Sequence, residues 1–439
     1  MLRAGAAVRE VSPTGPVFLA GYPHIERVST GVHDPLLASA LCLRSGDAGV
    51  LLVAVDILLL DPPTARALRA AVAARTGLAE ECVLVSCSHT HSGPLTVELL
   101  AWRDDPVVPR PDPAYLARLR EGAIEAAAEA CASARPAELA WTAADARGVG
   151  GNRLAPDGLT DPEAGLLSVR EAASKRPVAV ALVYGMHPTV LHQDSKLVSA
   201  DFPAYARLAL RESLGEAVVV LYHNGPCGNQ SPRHAARAQT FAEAERLGRL
   251  LGGKAAAAVG RLADSDYDRA PALAGALRRV ELPPRRMPTP AEAEGALAER
   301  RAELGRLRRE QAGRGAVRTA ECALFGAEET LTLARAQQSG ELAGLIEKYR
   351  SAEVQAVRLG AASLAAFPGE LFTEYGLELK SRSPRRVFPV CLVNGELQGY
   401  IVTPEAAAAG GYEAANSLFA PESGRLMVDA LLELLCSWP

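Results

Sequence analysis

Eight histidines occur in the chain, and the pair in His89-Thr90-His91 follows directly on the apolar run Val83-Leu84-Val85. Side chains two residues apart in an extended segment lie on the same side, so both imidazoles can face one cleft. The end of a buried strand is also where α/β sheets place their sites, and Ser92-Gly93-Pro94 then turns the chain. A further histidine, in Met186-His187-Pro188-Thr189, repeats this placement behind another apolar run. Neutral imidazole is the commonest zinc ligand, and a catalytic zinc takes about three protein ligands plus an open water position. Two histidines and a carboxylate meet that need, so these residues suggest metal-assisted hydrolysis. Polar residues in ordinary loops are the plainer alternative for each cluster taken alone.

Three other clusters carry polar groups without dictating their use. His223-Asn224-Gly225-Pro226-Cys227-Gly228-Asn229-Gln230-Ser231-Pro232-Arg233-His234 forms a tight loop whose amides could hold a substrate carbonyl or build Asx turns. Phe367-Pro368-Gly369-Glu370 sets a carboxylate beyond an apolar stretch, and an isolated glutamate is usually a surface residue. Asn394-Gly395-Glu396-Leu397-Gln398-Gly399-Tyr400 and Gly410-Gly411-Tyr412-Glu413 close the set. Nothing in general coordination chemistry singles out Tyr400 as a ligand.

The elements that must position these groups alternate between strand and helix. Val50–Val55, Cys82–Ser86, Val178–Tyr184 and Ala217–Tyr222 read as buried strands, with helices over 62–75, 112–134 and 203–214. That alternation predicts an α/β fold with a mixed, largely parallel sheet flanked by helices on both faces. No internal repeat is evident. From 288 to 350 the texture changes: 291–311 is charged, Leu- and Ala-rich and helically periodic, and beyond Gly313-Arg314-Gly315 a second helical stretch runs over 320–350, which predicts a helical hairpin inserted into a body formed by 1–287 and 351–439. A structural role or a contact between copies in a homo-oligomer is expected of it. Strand text resumes over 357–367 and 387–393, and a helix over 423–435 closes the chain.

Bulk composition narrows the function classes. The 439 residues are 49% hydrophobic and 22% charged with a net charge of −4, so the basic excess of a nucleic-acid binder is missing. The Arg-rich stretch 300–309 is interleaved with acids and reads as a solvated helix face. No segment is long and apolar enough for a transmembrane span, and the first residues hold no signal-peptide core, so a cytoplasmic location is expected. Eight scattered cysteines without C-x-x-C spacing predict neither a disulfide framework nor a Cys-based zinc site.

Taken in order, the clusters resemble the catalytic domain of the neutral/alkaline (non-lysosomal) ceramidase family. Gly5-Ala6-Ala7-Val8, Leu19-Ala20-Gly21-Tyr22, Gly31-Val32-His33-Asp34-Pro35-Leu36, Ser199-Ala200-Asp201-Phe202-Pro203 and Gly411-Tyr412-Glu413 share in the likeness, which runs from about residue 4 to about 425. The resemblance implies a single catalytic zinc on His89, His187, Glu370 and Tyr400. It places His91 near the zinc-bound water, and Arg153 and Tyr412 at the substrate carbonyl or the intermediate. Two departures stand out. The family has Gly-Asp-Val-Ser-Pro-Asn where this chain has Gly228-Asn229-Gln230-Ser231-Pro232-Arg233, and Leu95-Thr96 replaces glycines after the His-Thr-His motif.

The expectation is therefore a zinc-dependent amidohydrolase that cleaves the amide of an N-acyl substrate, ceramide or ceramide-like, by attack of zinc-bound water. His91 acts as acid–base and Tyr412 and Arg153 steady the oxyanion, with Ser231 beside the substrate. Two alternatives stand beside it. One is a Ser231-dependent esterase or amidase, which lacks the G-x-S-x-G elbow; the other is a non-catalytic binding protein on the same scaffold.

Overall fold

The computed structural model describes residues 1–438, and its chain order shows one pattern used twice. The first half runs β1 (Leu2–Glu10), β2 (Leu37–Ser45), β3 (Ala48–Val55), α1 (Pro62–Thr76), β4 (Val83–Cys87) and α2 (Pro113–Ala132). The second repeats it as β5 (Arg135–Asp145), β6 (Glu163–Glu171), β7 (Pro177–Tyr184), α3 (Phe202–Leu214), β8 (Val219–Asn224) and α4 (Phe241–Val259). In each half three antiparallel strands precede a helix that crosses to a fourth, parallel strand. The sheet order β8-β7-β6-β5-β1-β2-β3-β4 is thus symmetric about the β1–β5 seam, where only Arg3↔Pro136 and Ala4↔Arg135 pair. The repeat lies in topology, not in residue identity.

The fold is α/β with a large mixed sheet, as expected, but the parallel share is smaller than the alternating pattern implied. Only β3–β4 and β7–β8 pair in parallel within this sheet. The antiparallel partners β2 and β5 are written as Leu37-Ala38-Ser39-Ala40-Leu41-Cys42 and Pro136-Ala137-Glu138-Leu139-Ala140. Alanine carries little strand signal, so these hairpin members are hidden in the sequence.

Helices cover only the outer faces of the sheet, α1 and α2 on the first half and α3 and α4 on the second. The inner face meets a second sheet instead of helices. Its chain order is β9 (Leu273–Glu281), the helices α5 (Pro290–Arg309), α6 (Arg314–Gln338) and α7 (Glu341–Arg350), β10 (Ser351–Leu359), β11 (Ala362–Ala366), α8 (Thr373–Arg382), β12 (Arg386–Val390) and α9 (Ser423–Cys436). Leu41, Leu52, Leu84, Leu167 and Leu221 pack there with Val357, Leu364 and Phe388. Each such side chain contributes about 1.5–3 kcal/mol through burial.

Segment 288–350 therefore holds three helices within the connection between the paired strands β9 and β10. The run 357–367 is a hairpin, not one strand; it turns at Gly360, whose φ of 69° suits glycine. No helix among the described residues is long and apolar enough to cross a membrane.

Caps and buried ion pairs fix the crossovers. Asp61 accepts from Thr64 N ahead of Pro62 to start α1, and Asp201 accepts from Phe202 N at 2.6 Å ahead of Pro203 to start α3. The buried Arg207 of α3 forks onto Asp56, at the end of β3, at 2.9 and 2.7 Å, which ties the two halves together.

Asn224, fully buried at the end of β8, draws the strand ends to one point. Its Oδ1 accepts from Met186 N at 3.0 Å, its Nδ2 donates to Ser88 O at 3.3 Å, and its carbonyl accepts from Cys391 N at 2.7 Å. The loops after β7, β4 and β12 thus share one side chain and its peptide. Asn224→Ala leaves the Met186 N–H and the Ser88 carbonyl unmet, each costing roughly 1–3 kcal/mol. Denaturant unfolding should show a loss of that order, and a variant as stable as the parent would contradict this role.

Candidate metal centre

His89 and His91 stand two and four residues beyond β4, but not on extended chain. His89 adopts φ 70°, a left-handed conformation uncommon for a residue with a side chain. The expectation of two same-side imidazoles on a strand is corrected accordingly: a turn, not the strand period, brings them together. Their Nε2 atoms are 3.4 Å apart and their rings meet edge to face. His187, three residues beyond β7, joins them with its ring centre 4.7 Å from that of His89.

Each imidazole is anchored through Nδ1 to a backbone carbonyl. His89 donates to Leu58 O at 3.0 Å, His91 to Gly21 O at 3.0 Å and His187 to Cys227 O at 2.7 Å. A carbonyl can only accept, so Nδ1 carries the proton and a neutral ring shows its Nε2 lone pair to the centre. The two halves of the fold trade roles here. The loop after β4 supplies His89 and the loop after β3 its carbonyl, whereas the loop after β7 supplies His187 and the loop after β8 its carbonyl. Gly21 allows the close approach at His91, because a Cβ there would lie 2.4 Å from Nδ1.

Glu370 enters from the second sheet, four residues beyond β11. Its Oε2 lies 2.9 Å from His187 Nε2 and 3.2 Å from His89 Nε2. Glu370–Leu371 pairs in parallel with Tyr400–Ile401, residue 370 opposite 400, which sets the tyrosine beside the glutamate. The Tyr400 ring stacks toward His187 at 6.3 Å between centres. Gly399, at φ 135°, lets Tyr400 N reach Asn416 O at 2.9 Å.

Burial holds the His187 imidazole down at about 4, and burial with the neighbouring His89 ring holds His91 well below its ordinary value. Burial works against the Glu370 carboxylate, yet His89 and His187 outweigh it and keep Glu370 well below the usual carboxylate range. Burial thus favours the neutral rings of His187 and His91 beside this carboxylate. Three nitrogen lone pairs and a carboxylate oxygen converge with no shared hydrogen, an arrangement that a cation stabilises. The ring nitrogens of His89, His91 and His187 lie within 4.8 Å of one another, so this group could hold a metal ion. Imidazole and carboxylate donors are shared by several divalent transition metals, zinc among them.

The remaining residues singled out from sequence surround this centre. The strand pair Gly151–Asn152 with Gln230–Ser231 delivers Arg153, whose Nε donates to Glu413 at 2.6 Å and whose guanidinium lies 5.2 Å over the Tyr400 ring. Arg153 Nη2 is buried and has no partner. Tyr412 opens a short helix and meets Tyr400 edge to face at 5.7 Å. Ser231 is buried beside Arg153, but its hydroxyl accepts from Arg233 N and caps the turn that follows. His223 lies behind the centre, bonded to Ser86 Oγ at 2.7 Å.

Two small clefts open on the centre. One, about 50 Å³, runs between Leu58, Leu59, Leu99 and Trp102; the other, about 70 Å³, is lined by Arg153, Arg233, Arg318, Tyr22 and Phe325. Sequence reasoning missed Arg318, Cys322 and Phe325 of α6, a segment it read only as part of a helical insertion. It missed Arg27 too, which is fully buried and donates to His91 O at 2.9 Å. A lone arginine in the otherwise weakly charged 17–31 segment was the available signal.

A search of curated proteins by sequence gave no match. Among solved structures, the chain is similar to one described as a ceramidase complexed with C2, at TM-score 0.76 and 16% identity, over 100% of this chain and 76% of that one. The neutral ceramidase from Pseudomonas aeruginosa is similar at TM-score 0.76 and 19% identity, over 100% and 75%. At such identities the likeness establishes the fold. The family model described as neutral/alkaline non-lysosomal ceramidase, N-terminal, matches residues 5–240, more than half of the 439. The chain belongs to the neutral/alkaline non-lysosomal ceramidase family.

Proposed function

We propose that the chain is a zinc-dependent amidohydrolase acting on an N-acyl substrate, with His89, His187, Glu370 and Tyr400 as the metal ligands. The observation that carries this reading is the convergence of the carbonyl-anchored imidazoles on the Glu370 carboxylate. Membership of the family makes amide hydrolysis the expected reaction, and ceramide the first compound to test.

A zinc ion so held supplies Lewis acidity, bringing the pKa of water toward about 7 and polarising a carbonyl. The chain's own groups then handle the protons and the developing charge. His91, fixed by Gly21 O, presents Nε2 to take a proton from the attacking water and pass it to the leaving nitrogen as the C–N bond breaks. The products are a carboxylic acid and an amine. Arg153, whose buried Nη2 has no partner, and the Tyr412 hydroxyl, both in the cleft wall beside His91, are the groups that would steady the carbonyl oxygen as it becomes negative. The Ser231 alternative is less well supported, because that hydroxyl caps a turn and no imidazole among the described residues bonds to it.

Elemental analysis of the purified protein should give close to one zinc per chain, and His187→Ala should lose it. Zinc retained in full by that variant would remove His187 from the ligand set. His91→Ala should keep the metal and lose about 10²–10⁴-fold in kcat on an N-acyl amide, the usual span for general acid–base catalysis. Loss of metal in this variant would make His91 a ligand instead, and unchanged kcat would end its acid–base role. A metal-loaded chain that turns over no amide in a panel of varied acyl length would favour the binding-protein alternative.

A further inference from the structure

The cleft beside His91 and Tyr400 holds more positive charge than its surroundings balance. Arg153, Arg233 and Arg318 all line it, whereas no aspartate or glutamate does. Glu413 stands behind, taken up by Arg153 at 2.6 Å, and Glu321 stands behind, at 3.1 Å from Arg318. Arg233 has no such partner. Its Nη1 donates to Arg153 O at 3.2 Å and its Nη2 reaches Cys322 Sγ at 3.7 Å, and among the described residues no carboxylate lies within ion-pairing distance of it. Arg153, nine-tenths buried, keeps an unbonded Nη2 beside them, the donor assigned above to the carbonyl oxygen.

Burying a guanidinium without a counter-charge is unfavourable, and the groups that relieve it best are planar anions that match its fork. The cleft is small, about 70 Å³, and its remaining walls include Tyr22, Phe325 and Tyr412. An uncharged lipid amide would leave the excess charge uncompensated. Arg318 comes from the α6 helix between β9 and β10, and Arg233 from the turn that Ser231 caps.

We infer that the substrate is a small amide bearing a carboxylate, which sits on Arg233 and Arg318 while its scissile carbonyl faces His91 and Arg153. This rests on the amidohydrolase reading above. The carboxylate is carried on either the acyl or the amine side, and N-acyl amino acids are one such class.

The test separates binding from turnover. Calorimetry on the purified full-length protein compares 5-oxohexanoate, an uncleavable ketone carrying a carboxylate, with 6-hydroxyhexan-2-one, its neutral counterpart. The anion should bind about 10-fold tighter or more, as expected for a charge-assisted pair in a half-buried site. In Arg233→Gln that ratio should fall by at least about 5-fold, and Arg318→Gln provides the second reading if the first variant unfolds. Equal binding of the two probes overturns the inference. So does a ratio unchanged in both variants, since that would assign the anion preference to the metal alone. Rates on N-acetyl-leucine against N-acetyl-leucinamide form the second arm, with the anionic amide favoured. If neither amide is cleaved while the binding ratio holds, the amidohydrolase reading fails and the anion site stands.

Discussion

The centre depends on bringing the carboxyl ends of three parallel strand pairs to a single point. His89 comes from the end of β4, His187 from the end of β7 and Glu370 from beyond β11 in another sheet. Strand ends are polar, because their last carbonyls and the first amides of the loops lack ladder partners, and burying them together is costly unless every group finds another. Asn224 meets most of that demand with one amide side chain and one peptide carbonyl. The carbonyls of Leu58, Gly21 and Cys227 are met in turn by the imidazoles themselves. The hydrogen bonds that make the loops buriable also set the tautomers of the three histidines.

The helices α5–α7 close the other side. Glu329 of α6 is fully buried, and burial raises its carboxyl to about 8; it accepts from Trp102 Nε1 at 2.6 Å and Asn416 Nδ2 at 2.5 Å. Asn416 in turn holds the backbone of Tyr400, so the inserted helices reach the centre through two hydrogen bonds. They also contribute Arg318, Cys322 and Phe325 to the cleft wall. One scaffold thus carries the donor groups on its strand ends and part of the cleft wall on the helices between β9 and β10.

What the sequence made legible follows from how local each signal is. His89, His91 and His187 could be found because each sits directly behind an apolar run, and residue type with position was enough. Glu370 and Tyr400 needed the family resemblance, since their adjacency is made by pairing segments 30 residues apart, which no spacing rule expresses. The first sheet is less parallel than the alternating pattern suggests because its antiparallel members are Ala-rich and lack the branched residues that mark strands. Arg318 was invisible for a different reason. Helical periodicity in an insertion does not say where the helix docks, and only the packing of α6 over the centre turns that residue inward.

The central claim is that these four side chains form one zinc site. Anomalous diffraction recorded on either side of the zinc absorption edge, from crystals of the full chain, tests it most directly. A single strong peak is expected at about 2.0–2.1 Å from both His89 Nε2 and His187 Nε2 and within about 2.2 Å of a Glu370 oxygen, the usual zinc bond lengths. A peak elsewhere, or a site that stays without metal after zinc is supplied, would contradict it.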